Sequence, residues 1–178
     1  VVELGCGRGE YTVGMARLNP QRNYVGVDMK GDRIWKGSKT AEAEKLFHVA
    51  FLRTQVQALT DFFAPQECDE IWITFPDPRP KKRDIKRRMV HPRFLELYKN
   101  ILKTSGWVHL KTDNDILFDY ALEVLQQRND IINLQHTRDV YNQKDLDPVL
   151  TITTHYEQLF ANQGHSIKYL KFQFQPNN

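Results

Sequence analysis

Short apolar runs alternate with longer amphipathic stretches along the whole chain. Val1–Leu4 predicts a short strand, and the glycines after it lead into a helix over about Glu10–Leu18. Asn19-Pro20 ends that helix, because proline has no amide to donate and its ring clashes with the preceding turn. Tyr24–Val27 predicts a second strand ending at Asp28, then a helical stretch to about Leu46 and a third strand near Val49–Leu52. Ile71–Phe75 is apolar or β-branched throughout and predicts a fourth strand, stopped by Pro76. Phe94, Leu95, Tyr98 and Leu102 recur at helical spacing, which predicts a helix over Arg93–Leu102. Ser105-Gly106 then turns the chain into a fifth strand, Trp107–Leu110. A helix from about Asn114 to Gln127, strands at Ile131–Gln135 and Ile167–Phe174, and a helix at Thr154–Ala161 between them complete the pattern.

Strands alternating with helices imply right-handed crossovers and an α/β fold, a mostly parallel sheet covered on both faces. The 178 residues fit one domain over 1–178, with no internal repeat or low-complexity tract. Val1-Val2-Glu3-Leu4 reads as the middle of a buried strand with nothing leading into it, so a preceding N-terminal segment is expected. Hydrophobic residues make up 40% and charged residues 26%, an ordinary balance for a soluble globular protein. No apolar run approaches the ~20 residues of a membrane helix. Two cysteines, Cys6 and Cys68, do not suggest a disulfide scaffold, and a cytoplasmic protein with reduced thiols is expected.

Charge changes this picture locally. Between Arg79 and Arg93 stand eight basic residues and one acid, Asp84, a local excess of +7 in a chain of formal net charge +3, leaving −4 for the rest. A basic patch on a mildly acidic body fits a polyanion-binding surface, with a merely solvated charge run as the plainer alternative. Within it, Lys82, Arg83, Lys86, Arg87 and Arg88 are the candidates for phosphate contacts.

The candidate chemistry lies where strands end. Glu3-Leu4-Gly5-Cys6-Gly7-Arg8-Gly9 spans a strand-to-helix junction, where glycines let a ligand lie against bare backbone near a helix N-terminus. The third glycine of a dinucleotide fingerprint would fall at Glu10, so the spacing is G-x-G-x-G. A carboxylate at Glu3 would repel a pyrophosphate but attract a sulfonium ligand bearing an ammonium, which points to S-adenosylmethionine. Asp28, at the end of the second strand, can accept both hydroxyls of a ribose or cap the following helix. Phe75-Pro76-Asp77-Pro78-Arg79-Pro80-Lys81-Lys82-Arg83 follows the fourth strand, and its prolines fix where Asp77 points. An acid so held beside a basic run fits a polar substrate with a phosphate chain. Thr154 with Glu157 three residues on matches a capping box, and His91 before Pro92 reads as a helix start. The histidines show no ligand spacing, so no metal is expected.

Taken together, these residues resemble the tRNA (guanine-N7-)-methyltransferase family over nearly the whole chain. The resemblance rests on Val2-Glu3-Leu4-Gly5-Cys6-Gly7, Phe75-Pro76-Asp77-Pro78 with its basic tail, Lys111-Thr112-Asp113, and Thr154-His155-Tyr156-Glu157. It implies a Rossmann-like class I methyltransferase fold with a seven-stranded sheet, S-adenosyl-L-methionine as cofactor, tRNA as partner, and 7-methylguanosine in the variable loop as product. It further implies that Glu3, Gly5, Gly7, Asp28, Gln55 and Asp77 serve the cofactor, with Asp77 at the methyl-transfer centre. Lys81, Asp113, Thr154, His155, Tyr156 and Glu157 would meet the RNA. The chain departs from the family pattern at Arg79, where tryptophan is usual, and at Gln55, where an acid is common. A D-P-P-Y amino-group methyltransferase is the nearest enzyme rival, and no aromatic residue follows the prolines here. A non-catalytic RNA-binding relative is the rival from another class.

Overall fold

The computed structural model describes residues 1–155, 157 and 166–176, and builds them around one seven-stranded sheet. In chain order the elements are β1 (Val2–Leu4), α1 (Glu10–Leu18), β2 (Tyr24–Asp28), α2 (Gly31–Ala43), β3 (Val49–Arg53), β4 (Cys68–Thr74), α3 (Pro92–Ile101), β5 (Leu102–Thr112), α4 (Asp115–Gln126), β6 (Ile131–Thr137) and β7 (Lys168–Phe174). Short 3-10 helices cover Val56–Asp61, Lys82–Arg87 and Pro148–Thr151. The strand order is β3-β2-β1-β4-β5-β7-β6. The first five strands run parallel, and β7 inserts antiparallel between β5 and β6. The mostly parallel α/β sheet read from the alternation of elements is therefore observed.

Period-2 alternation sends each strand's side chains to two different cores. Val2, Leu4, Ile71 and Ile73 point to a large core with Phe94, Leu95, Tyr98 and Phe118. Trp72, between the two isoleucines, points the other way and joins Tyr11, Met15, Tyr24 and Tyr169. Glu3 lies opposite Trp72 and Gly26 in the register, a charged residue in the middle of a central strand.

Because β1 to β5 are parallel, their carboxyl ends share one edge of the sheet. Gly5, Asp28, Gln55, Phe75 and Asp113 all lie at or just beyond those ends. This is the edge at which doubly wound folds receive ligands.

Several boundaries differ from expectation for local reasons. The helix after β2 stops at Ala43 rather than Leu46, and Lys45 has φ 57 in the left-handed region, which a helix cannot continue through. Leu102 leaves α3 and starts β5, where it pairs with Cys68. The expected turn at Ser105-Gly106 lies instead inside β5, as an irregularity between the Cys68–Leu102 and Glu70–Trp107 pairs. A side chain at Gly106 would come within 3.0 Å of the Asp69 and Lys103 carbonyls, so glycine permits this close approach. The fourth strand begins earlier, at Cys68, and ends at Thr74, because Phe75 (φ 45) has left the extended region. The helix expected over Thr154–Ala161 falls mostly outside the described residues.

Candidate active site

The glycine loop is built for backbone exposure. Gly5, Gly7 and Gly9 all have φ between 54 and 73, and the Gly5 and Cys6 amides both donate to the Val27 carbonyl, at 2.7 and 3.0 Å. This ties the loop onto the end of β2. A Cβ on Gly9 would lie 2.5 Å from the Phe51 ring and 3.1 Å from Gly37 Cα, whereas a Cβ on Gly7 would meet nothing within 4 Å. Gly9 thus serves close packing, and Gly7 turns bare backbone to open space.

Asp28 is locked onto this loop. Its Oδ2 accepts from the Gly7 amide at 3.0 Å and its Oδ1 from the Lys30 amide at 2.9 Å. The N-cap of α2 is Lys30, so Asp28 does not cap that helix. Each carboxylate oxygen keeps lone-pair capacity toward the cleft it borders.

That cleft, of about 1090 Å³, opens along the carboxyl edge of the sheet. Gly5, Gly7, Asp28, Gln55, Thr74 and Asp77 line it together, and Asp113, Thr154 and Glu157 border it too. Of the residues expected to serve a cofactor, only Glu3 is missing from its wall. Glu3 is 1% exposed, and its two oxygens accept from the hydroxyls of Thr12 and Thr74, the latter at 2.5 Å. Burial raises its pKa to about 7, and the two threonine hydrogen bonds only partly counter that rise. The carboxylate stands one layer beneath the cleft, screened by Thr74, rather than presented to a ligand.

The proline loop forms the next wall. The Phe75 amide donates to the Lys111 carbonyl at 2.8 Å, which anchors the loop to β5. Asp77 stays largely open: its Oδ1 accepts from the Arg79 amide and its Oδ2 pairs with Arg79 Nε, both at 3.1 Å. Arg79, at φ 48, thus brings its own charge to the carboxylate in the place where the family pattern has tryptophan.

The basic segment separates into three groups. Arg83, Lys86 and Arg87 reach the cleft, together with Arg33 and Arg93. Lys81 and Lys82 are exposed but do not line it. Arg88 corrects the sequence reading: it is 4% exposed, donates to the Pro78 carbonyl at 3.1 Å and the Arg79 carbonyl at 3.2 Å, and stacks 4.5 Å over the Tyr120 ring. It is a strut under the proline loop and is unavailable to a phosphate. The pattern could not reveal this, because only tertiary packing distinguishes Arg88 from its neighbour Arg87. Arg33, by contrast, was not singled out in the sequence; its only signal is its place in the first turn of the helix after Asp28.

The late motif is also divided. Thr154 Oγ1 accepts from the Glu157 amide at 3.2 Å, which is one half of the expected capping box, while the Glu157 carboxylate is engaged elsewhere. Glu157 is 3% exposed, pairs with Lys111 Nζ at 3.0 Å and accepts from the Tyr141 hydroxyl. His155 is not brought to the cleft. Its amide donates to Glu10 Oε2 at 2.8 Å, and it lines a separate cavity of about 510 Å³ beside α1, with Arg8, Arg17 and Thr40. Tyr156 lies outside the described residues. His91 caps α3, its Nδ1 accepting from the Arg93 amide at 3.3 Å. Among the described residues no group of three or more His, Cys, Asp or Glu side chains could hold a metal ion, and no helix is long and apolar enough to cross a membrane.

The site residues fit a nucleoside-bearing cofactor. Bare glycine backbone faces the cleft, an acid pinned by two amides waits at the end of β2, and an amide side chain, Gln55, follows β3.

Comparison with known proteins agrees with this geometry. A family model described as "Putative methyltransferase" matches residues 1–170. A tRNA (guanine-N(7)-)-methyltransferase of Cytophaga hutchinsonii is 46% identical over 177 residues, 99% of this chain and 80% of that protein. The enzyme of the same name from Streptococcus suis is 35% identical, with 98% of this chain and 80% of that protein covered. Among solved structures, the 16S rRNA methyltransferase KamB superposes with TM-score 0.69 at 11% identity, over 98% of this chain and 87% of KamB. An rRNA methylase from Streptococcus thermophilus does so at 0.61 and 12%, over 98% and 86%. At such identities the structural likeness speaks for the fold alone, and the fold is that of a class I methyltransferase.

Proposed function

The chain belongs to the tRNA (guanine-N(7)-)-methyltransferase family, and on that premise we propose that it methylates N7 of a variable-loop guanine in tRNA from S-adenosylmethionine, with Asp77 at the transfer centre. The observation that carries the site assignment is the convergence of the glycine loop, Asp28, Gln55 and Asp77 on one cleft, with a cationic rim on the same opening. The cofactor, when bound, supplies an electrophilic methyl group. Gly5 and Gly7 would let it approach the backbone, Asp28 would accept its ribose hydroxyls, and Gln55 would hydrogen-bond its adenine, all three sites lining the same cleft.

Guanine N7 carries a free lone pair, so no proton has to leave before attack and no general base is required. Catalysis then rests on positioning and electrostatics. Asp77 accepts hydrogen bonds from the guanine edge, and its charge stabilises the positive charge that develops on the ring. To receive the base, it exchanges its contact with the Arg79 guanidinium for contacts with guanine. Arg79 and Asp77 are 40% and 59% exposed, so this exchange costs little, about 1 kcal/mol or less. Asp113 and Thr154 meet the splayed nucleotide, while Arg83, Lys86 and Arg87 hold its phosphates. Its proposed site of action is the cytoplasm, where a tRNA substrate would be met.

The test is methyl transfer from labelled S-adenosylmethionine to unmodified tRNA, followed by nucleoside analysis. The expected product is 7-methylguanosine, lost when the variable-loop guanosine is replaced. Asp77→Asn should lower turnover about 100-fold with cofactor binding intact. Near-normal turnover by that variant would remove the carboxylate from the transfer centre.

A further inference from the structure

Lys111 does not line the cleft, yet both of its walls are built on it. Its side chain is 0% exposed, at the penultimate position of β5. An ammonium has three N–H donors. Here they go to the Leu150 carbonyl at 2.9 Å, the Ile152 carbonyl at 3.0 Å and Glu157 Oε2 at 3.0 Å. The rings of Tyr11, Phe75 and Tyr141 lie 5.4, 5.6 and 5.7 Å from the same nitrogen. The backbone carbonyl of Lys111 accepts from the Phe75 amide, where the proline loop begins.

One residue therefore ties the wall that carries Asp77 to the wall that carries Thr154 and Glu157. We propose that Lys111 is a positioning residue for methyl transfer: through its buried ammonium it fixes Leu150, Ile152 and Glu157 beside the cleft that Asp77 also lines. This deepens the function proposed above and rests on it. A buried ion pair is a poor device for stability, since well-packed apolar residues of the same volume often do as well. Its geometry, however, is directional, with one cation ordering two carbonyls and a carboxylate at once. A segment that crosses from the sheet edge to the cleft needs that kind of order, because a displacement of about 1 Å at a reacting group can cost about 100-fold in rate.

The experiment compares Lys111→Met, Lys111→Gln and the unchanged protein. Measured together are S-adenosylmethionine affinity, kcat and KM for unmodified tRNA, and amide hydrogen exchange across the chain. The expected result for Lys111→Met is a loss of about 100-fold in kcat/KM for tRNA, with cofactor affinity held within about 3-fold. Exchange should rise in Leu150–Ile152 and Phe75–Asp77 and stay unchanged in the glycine loop and β1. Lys111→Gln, which keeps an amide donor in similar volume, should fall between the two, and it reads the same quantities if the methionine variant does not fold. Unchanged kcat/KM in a folded variant would overturn the proposal. So would parallel loss of cofactor affinity and of protection throughout the sheet, the signature of a general core lesion. If the unchanged protein itself made no 7-methylguanosine, the fault would lie with the underlying function, while the exchange pattern would still report on Lys111.

Discussion

Glu3 is the residue whose replacement tests the electrostatics of this fold most directly. Burial lifts its pKa from the ordinary 4.5 to about 7. Between those two values the folded chain holds a proton that the unfolded chain has released. Stability therefore falls as pH rises through that window, at ~1.4 kcal/mol per pH unit. The full gap corresponds to roughly 3 kcal/mol lost between pH 4.5 and 7, with no further loss above it. Glu3→Gln replaces the carboxyl by a neutral group of the same shape and removes that slope. The variant should lie within about 1 kcal/mol of the parent near pH 4.5, the margin set by hydrogen bonding lost to Thr12 and Thr74, and exceed it by roughly 2–3 kcal/mol at pH 8. Urea unfolding of the ligand-free protein at several pH values between 4.5 and 8 measures this difference. A constant offset between the two proteins across the whole range would refute the reasoning, because Glu3 would then not titrate there. The same substitution should weaken S-adenosylmethionine binding about tenfold or more, since the carboxylate beneath the glycine loop favours a cationic ligand. A group that destabilises the empty fold and serves the filled one is the pattern expected of a functional site.

The basic segment yields a contrast between neighbours. Arg88→Ala should cost about 2 kcal/mol in unfolding free energy, through lost carbonyl hydrogen bonds and ring stacking, and leave the salt dependence of tRNA binding unchanged. Lys86→Ala and Arg87→Ala should do the reverse, sparing stability while lowering the slope of log affinity against log salt by roughly 0.7–0.9 each, as measured by filter binding. Gly9→Ala should destabilise by about 3 kcal/mol in thermal or chemical unfolding, because its φ of 73 disfavours a side chain and a Cβ would strike Phe51 and Gly37.

Much of the fold could be read from the chain itself. Alternating apolar and amphipathic stretches marked β1 to β5 and their helices because their periods differ, and those periods survive without tertiary contacts. The site motifs were legible for a related reason: parallel strands send their carboxyl ends to one edge, so Gly5, Asp28, Gln55 and Asp77 had to meet. What pattern could not decide was the direction and depth of individual side chains. Glu3, read as facing a ligand, is buried under Thr74, because the strand's alternation points it at α1 and Thr12. Arg88 and Arg87 are adjacent and chemically identical, yet one props the proline loop and the other meets the cleft. His155 sits beside Thr154 in the chain but turns to α1, while Lys111, singled out in the sequence only as part of Lys111-Thr112-Asp113, reaches 46 residues along the chain to Glu157. Spacing along a chain reports which elements form, since that is a matter of local period and backbone chemistry. Which polar group is buried and which is offered to a substrate depends on partners distant in sequence, and only the packed fold brings those partners together.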